Sequence, residues 1–497
     1  MPDEEAQIDF LQLYHNRPLD ELDGNTDLIG LLPKATAIKD IILNLSNNND
    51  IRMIALYGNW GSGKTTLMHH LKKELNDNYE TIFFDTWQLE KDNNLELSLL
   101  EKIFESQESN NKVKGALESG RKLFISFLKN SIYNIQLPNY NVGQALKDTT
   151  EELSTPYESF YSIVQDFKDK FQNAENLFDK KIIVFIDDID RCEPENIINL
   201  LSSIKLFFTL GRKTIYLCGI DKKAVGKAIQ TKHQDIIKSE EYLEKIFDLS
   251  FNMPESYDLD KLINNFFEAR SPNFYKELNL FFNIIDLKNP RHLKKVLNKY
   301  NLLRWYKKHY LAYSDLIPDI ANEENAITVI FVLYIITLYE FYNDKFQEIY
   351  FYQEKMINYG DGYIPYHVGS NPLDEKYSAR ENLKGIIEHV QNLSISYNTF
   401  NSNIKDITQD GGSNLVILLN FFAPCKNEGY RILESAKQGS MVEYTKFVNQ
   451  FATRENLFLI NFCKYILSLS SRFNRYELGN MSPFKILDLF KAIMLCL

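Results

Sequence analysis

The residues best suited to chemistry lie in one short run, Gly58, Asn59, Trp60, Gly61, Ser62, Gly63, Lys64, Thr65 and Thr66. Gly58, Gly63, Lys64 and Thr65 satisfy G-x-x-x-x-G-K-[ST], with Gly61 as a further glycine. Glycines let the backbone curl so that successive N–H groups point inward, at a helix N-terminus where the dipole is positive. A polyphosphate fits such a cradle. Lys64 would reach its β- and γ-phosphates, and the Thr65 hydroxyl would ligand Mg²⁺. The context agrees: the apolar run IRMIALYG precedes the loop, and Leu67, Leu71 and Leu75 follow at helical spacing.

A second set of candidates ends the run KIIVFIDD, where Ile182 to Ile186 lead into Asp187 and Asp188. A carboxylate at a strand tip beside a phosphate loop is placed to coordinate Mg²⁺, as in the Walker B pattern, and Asp187 is assigned that role, through a water. Asp188 sits where many phosphate-loop enzymes place the acidic residue that orients an attacking water. Pro194 then opens a helix at its first turn. ATP with Mg²⁺ is the ligand set these residues suggest.

Other candidates are weaker. Arg304 and His309 have the R-x4-H spacing of HEPN ribonucleases, in a segment that also reads as a solvated basic helix face. His69 and His70 are adjacent on a helix, point to different sides and form no metal pair.

The elements that must position the loop are legible as apolar runs at 51–58, 81–87, 181–190, 214–221 and 249–254, alternating with amphipathic stretches. That alternation predicts an α/β fold, a parallel sheet with helices on both faces. Residues 1–50 read as a lead-in loop and helix, and 51–300 as the phosphate-loop domain. Within the latter, about 106–178 reads as a helical insertion, and 301–497 as an all-helical C-terminal domain. At 497 residues, several domains are expected. A net charge of −11 argues against a uniformly basic nucleic-acid surface and leaves only a local basic groove open. The five cysteines are scattered without a C-x-x-C pair, which suits a reducing cytosol. The N-terminus lacks a signal-peptide pattern. The apolar run Ala326–Tyr339 is shorter than the roughly 20 residues that span a bilayer, and a buried core helix is expected there. A cytoplasmic protein without a transmembrane segment is the resulting expectation.

Together, GNWGSGKTT, DDIDRCEPENIINLLSSIKLFF, YLCGIDKKAVGKAI, YLEKIFDLSFNMP and NPRHLKKVLNKY resemble the KAP family of P-loop NTPases, from about Asp27 to Tyr300. The resemblance implies an ATPase core of the additional-strand type, with TIYLCGID as the strand inserted between those of the phosphate loop and Walker B. It implies Asp221 as a sensor near the γ-phosphate, and Arg191 and Lys245 as basic residues that stabilise the transferring phosphoryl group or form structural ion pairs. Arg291 resembles a lid arginine that reports nucleotide state to the following helices. Many members carry transmembrane helices inside this domain; here LFISFL is too short to cross a bilayer, although Arg121, Lys122 and Lys129 around it leave peripheral membrane contact open. Bacterial relatives in defence against phage point to a conformational switch in that role. The alternatives are a nucleotide-stabilised scaffold, binding a protein partner or a second copy through its C-terminal helices, or a ribonuclease effector using Arg304 and His309.

Overall fold

The computed structural model describes residues 11, 13–45, 50–91, 94–105, 160–233, 239–254, 257, 259–267, 270–309, 326–347, 349–350, 458, 461–462, 465 and 483–497. Most of the expected insertion, including LFISFL and its flanking basic residues, lies outside the described residues, as does nearly all of 351–482. The chain divides into two compact units, Arg17–Tyr257 and a second made of Met1–Asn16 with Asp258–Leu497.

The first unit is built on strands β1 (Met53–Tyr57), β2 (Tyr79–Asp85), β3 (Lys181–Asp187), β4 (Thr214–Ile220) and β5 (Leu249–Asn252), in the order β2-β3-β4-β1-β5. Every pairing is parallel. β4 therefore lies between β1 and β3, which is where TIYLCGID was expected. All residues of β1 and β4 are buried, as a sheet covered on both faces requires.

Alternate residues feed two cores. On one face Ile54, Leu56, Ile183, Phe185, Ile215 and Leu217 pack against α1 (Leu32–Asn44) and α2 (Lys64–Leu75). Helix α1 starts where the buried Asp27 carboxylate accepts the backbone N–H groups of Leu31 (2.9 Å) and Leu32 (2.7 Å). On the other face Ala55, Phe84, Val184, Tyr216 and Cys218 meet helices α4 (Leu95–Phe104), α5 (Phe160–Glu175), α6 (Pro194–Leu206), α7 (Lys222–His233) and α8 (Ser239–Ile246). A single turn, α3 (Thr86–Leu89), follows β2 directly.

Helix α5 belongs to the stretch expected to be an insertion, yet it is part of the core. Phe167 and Phe171 are buried, and Phe171 meets Phe104 edge-on at 5.8 Å. At its end the fully buried Glu175 carboxylate accepts four donors. Oε1 takes the Thr214 hydroxyl (2.6 Å) and N–H (3.1 Å), and Oε2 takes the N–H groups of Arg212 (2.6 Å) and Lys213 (3.2 Å). This ties α5 to the entrance of β4.

In the second unit the described elements are helical: α9 (Asp260–Phe266), α10 (Pro272–Ile284), α11 (Pro290–His309), α12 (Ala326–Phe341) and α13 (Pro483–Cys496). Helix α12 is the apolar run expected to be a core helix, and from Ala326 to Leu338 every residue but Thr328 is buried. Tyr334 stacks on Phe458 and Phe462, and Lys295 and Lys299 of α11 both pair with Glu340. Among the described residues no helix is long and apolar enough to cross a membrane.

Candidate functional site

The strands run parallel and in register, so Tyr57 sits beside Ile220 and Asp85 beside Asp187. Their C-terminal ends share one edge of the sheet, where open α/β folds gather their ligands. Four segments meet there: the glycine loop after β1, α3 after β2, the turn Ile189–Arg191 after β3, and Asp221 after β4.

The loop has a built shape. Gly58 donates its N–H to the Ile220 carbonyl at 3.0 Å, and Ser62 to that of Asn59 at 3.1 Å. Gly61 and Gly63 adopt φ of 78° and 91°, left-handed values that glycine enters without steric cost. Gly63 also lies against Leu31, and a Cβ there would come within 2.8 Å of the leucine Cδ1. Lys64, 6% exposed, donates to the Gly58 carbonyl at 2.8 Å, so its ammonium is held inside the loop. Tyr257 donates its hydroxyl to the Ser62 carbonyl at 2.8 Å. Thr65 opens α2 next to Lys64. The Thr66 hydroxyl accepts the Leu19 N–H at 3.3 Å and so ties the lead-in to the first turn of α2.

Asp187 is 2% exposed, and its Oδ1 is buried without a hydrogen-bond partner. A buried carboxylate oxygen left unpaired is costly unless a cation or water meets it. Gly219 of β4 makes the room: a Cβ at that position would stand 2.9 Å from this oxygen. Thr86 fixes the Asp187 backbone by donating its hydroxyl to the carbonyl at 2.7 Å. Ser62 Oγ is likewise buried and unpartnered. An unpaired carboxylate oxygen such as Asp187 Oδ1 and a hydroxyl such as that of Thr65 are oxygen donors of the kind Mg²⁺ takes.

Asp188 adopts φ 56° and ψ 25°, a left-handed conformation uncommon outside glycine, which aspartate and asparagine enter more readily than other side chains. Its carboxylate pairs with Arg191 Nη2 at 2.9 Å. Burial, then the neighbouring Asp187 charge, push its acid group up to about 6, and Arg191 opposes them. Burial also raises Asp190, which Lys64 opposes. Asp221 bridges: Oδ2 accepts the Trp60 N–H of the loop (3.2 Å), while Oδ1 caps α7 through the Lys223 N–H (2.9 Å).

The sequence profile of the KAP family P-loop domain matches residues 33–306. The chain belongs to the KAP family. Its curated relatives include two proteins of Methanocaldococcus jannaschii, the uncharacterized proteins MJ0181 and MJ0182. The first is 35% identical over 155 residues, 30% of this chain and 60% of the relative. The second is 32% identical over 162 residues, 26% of this chain and 84% of the relative. The phage T7 exclusion protein of Escherichia coli is 33% identical over 103 residues, 20% of this chain and only 13% of that protein.

Within this KAP domain the structure brings together the loop, Lys64, Asp187, Asp188, Arg191 and Asp221. Lys245 lies exposed on α8, and among the described residues no hydrogen bond or ion pair joins it to the loop. Arg291 belongs to the second unit, where its N–H donates to Asn289 Oδ1 at 3.0 Å at the start of α11. Arg304 and His309 share α11, but five positions on a regular helix separate side chains by about 140°. His309 instead stacks on Trp305 and reaches the Trp305 carbonyl at 2.9 Å. Sequence reasoning missed Asp190, Thr86, Trp87 and Gly219. Gly219 did leave a signal, since a glycine inside an apolar strand marks a close approach.

Proposed function

We propose that this KAP protein is a Mg²⁺-dependent ATPase that works as a conformational switch in phage exclusion. The observation that carries the reading is the Asp187 carboxylate, buried and unpaired at the strand tip beside the loop, with Gly219 making space for it. A passive phosphate cradle has no use for such a group. Thr65 and Asp187 would hold the metal, which supplies charge neutralisation for the β- and γ-phosphates. Lys64 and the loop N–H groups bind and orient the polyphosphate. Asp188 accepts the proton of the attacking water, and Arg191 keeps its carboxylate ionised and oriented. Asp221 and Arg291 report nucleotide state, and the helical second unit passes it to a protein partner or a second copy of the chain in the cytoplasm. Similarity to the phage T7 exclusion protein supports the biological setting.

Phosphate release from ATP by the purified chain tests this. Wild type should turn over with Mg²⁺ and stop with EDTA, and Lys64→Ala should lose nucleotide binding. Asp188→Asn should retain ATP while turnover falls by about 10²-fold or more. Turnover in wild type no higher than in Lys64→Ala would refute the hydrolytic reading. In cells, the chain should lower phage plating efficiency, and Asp188→Asn should not.

A further inference from the structure

Arg191 is held in an unusual way. Its Nη2 pairs with Asp188, its Nε is buried without a hydrogen-bond partner, and its remaining support is aromatic. The guanidinium carbon lies 5.1 Å from the Trp87 ring centre and 5.9 Å from that of Trp60, within cation–π range of both. Both tryptophans are about half exposed, Trp87 at 53% and Trp60 at 55%, so each ring has one side turned to Arg191 and much of the rest to solvent. They come from different segments. Trp60 belongs to the phosphate loop, and Trp87 to the turn after β2, where the Asp85 carboxylate fixes the backbone by accepting the Gln88 N–H at 3.1 Å.

We propose that Trp87 is a positioning residue: with Trp60 it clamps Arg191, and Arg191 in turn sets the place of the Asp188 carboxylate. Because one jaw of the clamp is part of the loop, a change of loop conformation on nucleotide binding is transmitted to Asp188 through Arg191. The carboxylate needs such a hold. Asp187, Asp85 and Asp190 all bring like charge to it, and among the described residues Arg191 is the cation that faces it. The inference rests on the hydrolytic role of Asp188 proposed above. It differs from the expectation that Arg191 touches the transferring phosphoryl group.

Kinetics of Trp87→Ala and Trp87→Phe provide the test. Trp87→Ala should lower kcat roughly 2- to 30-fold, the range a lost cation–π contact allows. KM for ATP should stay within about 3-fold, because the ring makes no contact with the nucleotide in this scheme. Trp87→Phe should restore most of the loss. In an Asp188→Asn background, Trp87→Ala should add nothing, since it acts only through Asp188. An additive loss in that background, or a loss that falls on KM alone, would overturn the proposal. For Arg191→Ala, an unchanged ratio of ATP to ADP affinity supports positioning; a collapse of that ratio makes Arg191 a phosphate contact and overturns it. Tryptophan emission gives a readout independent of turnover. Of the three tryptophans in the chain, Trp305→Phe leaves only the two of the clamp. The non-hydrolysed analogue ATPγS should change the emission of that variant, and Arg191→Ala should abolish the change. If wild type shows no turnover, the hydrolytic reading falls and emission alone decides the clamp; no change, or an equal change without Arg191, refutes it.

Discussion

Gly219→Ala probes the metal position from behind, without replacing a proposed ligand. The added Cβ would stand 2.9 Å from Asp187 Oδ1 and 3.0 Å from Met68 Sδ. Ordinary contact begins near about 3.5 Å, so the carboxylate has to retreat by roughly half an ångström. A displacement of 1 Å at a reacting centre costs about 10²-fold, which makes roughly 10-fold the expectation here. Overpacking should also lower stability by about 1–2 kcal/mol, too little to unfold the domain. The assay is phosphate release at saturating ATP across a Mg²⁺ titration, with circular dichroism to confirm folding. The half-saturating Mg²⁺ concentration should rise about 10-fold while nucleotide binding in EDTA stays unchanged. A folded Gly219→Ala protein with the wild-type Mg²⁺ requirement would refute the assignment of Asp187 to the metal.

Two further expectations concern the frame. Glu175→Ala strands four donors at the entrance of β4 and should cost about 3–5 kcal/mol in urea denaturation, with Glu175→Gln near half of that. Asp248 accepts the N–H groups of Arg52 and Met53, each at 2.9 Å, and Lys205 Nζ at 2.6 Å. Burial would raise its acid group, but Lys205 and those two N–H groups outweigh burial and hold it below its ordinary 3.8. A depressed carboxylate stabilises the fold above its unfolded pKa and loses that contribution as pH falls through the lower folded value. Asp248→Asn should therefore be less stable than wild type at pH 7 and pH 5, and the gap should close only below about pH 4. A gap of the same size at pH 3 would show that the charge is not what matters.

What the sequence made legible was local. The glycine spacing, the lysine and the apolar runs specify loop, helix and strands from neighbouring residues alone, and the resemblance supplied the strand order. The rest depends on neighbours distant in the chain. Phe167 and Phe171 have the spacing of any amphipathic helix, and no periodicity says whether such a face meets the sheet or an appended layer. Trp87 meets Arg191 only because β2 and β3 end side by side. Asp221 was read as a sensor from its place after β4; that its two oxygens join the loop to α7 required both partners to be in view.

The Glu175 carboxylate narrows how this protein can vary. It gathers three successive backbone N–H groups and the Thr214 hydroxyl at the entrance of β4. An aspartate is one methylene shorter and would meet the same donors only if α5 moved toward the sheet, so the length of this one side chain sets the spacing between helix and strand.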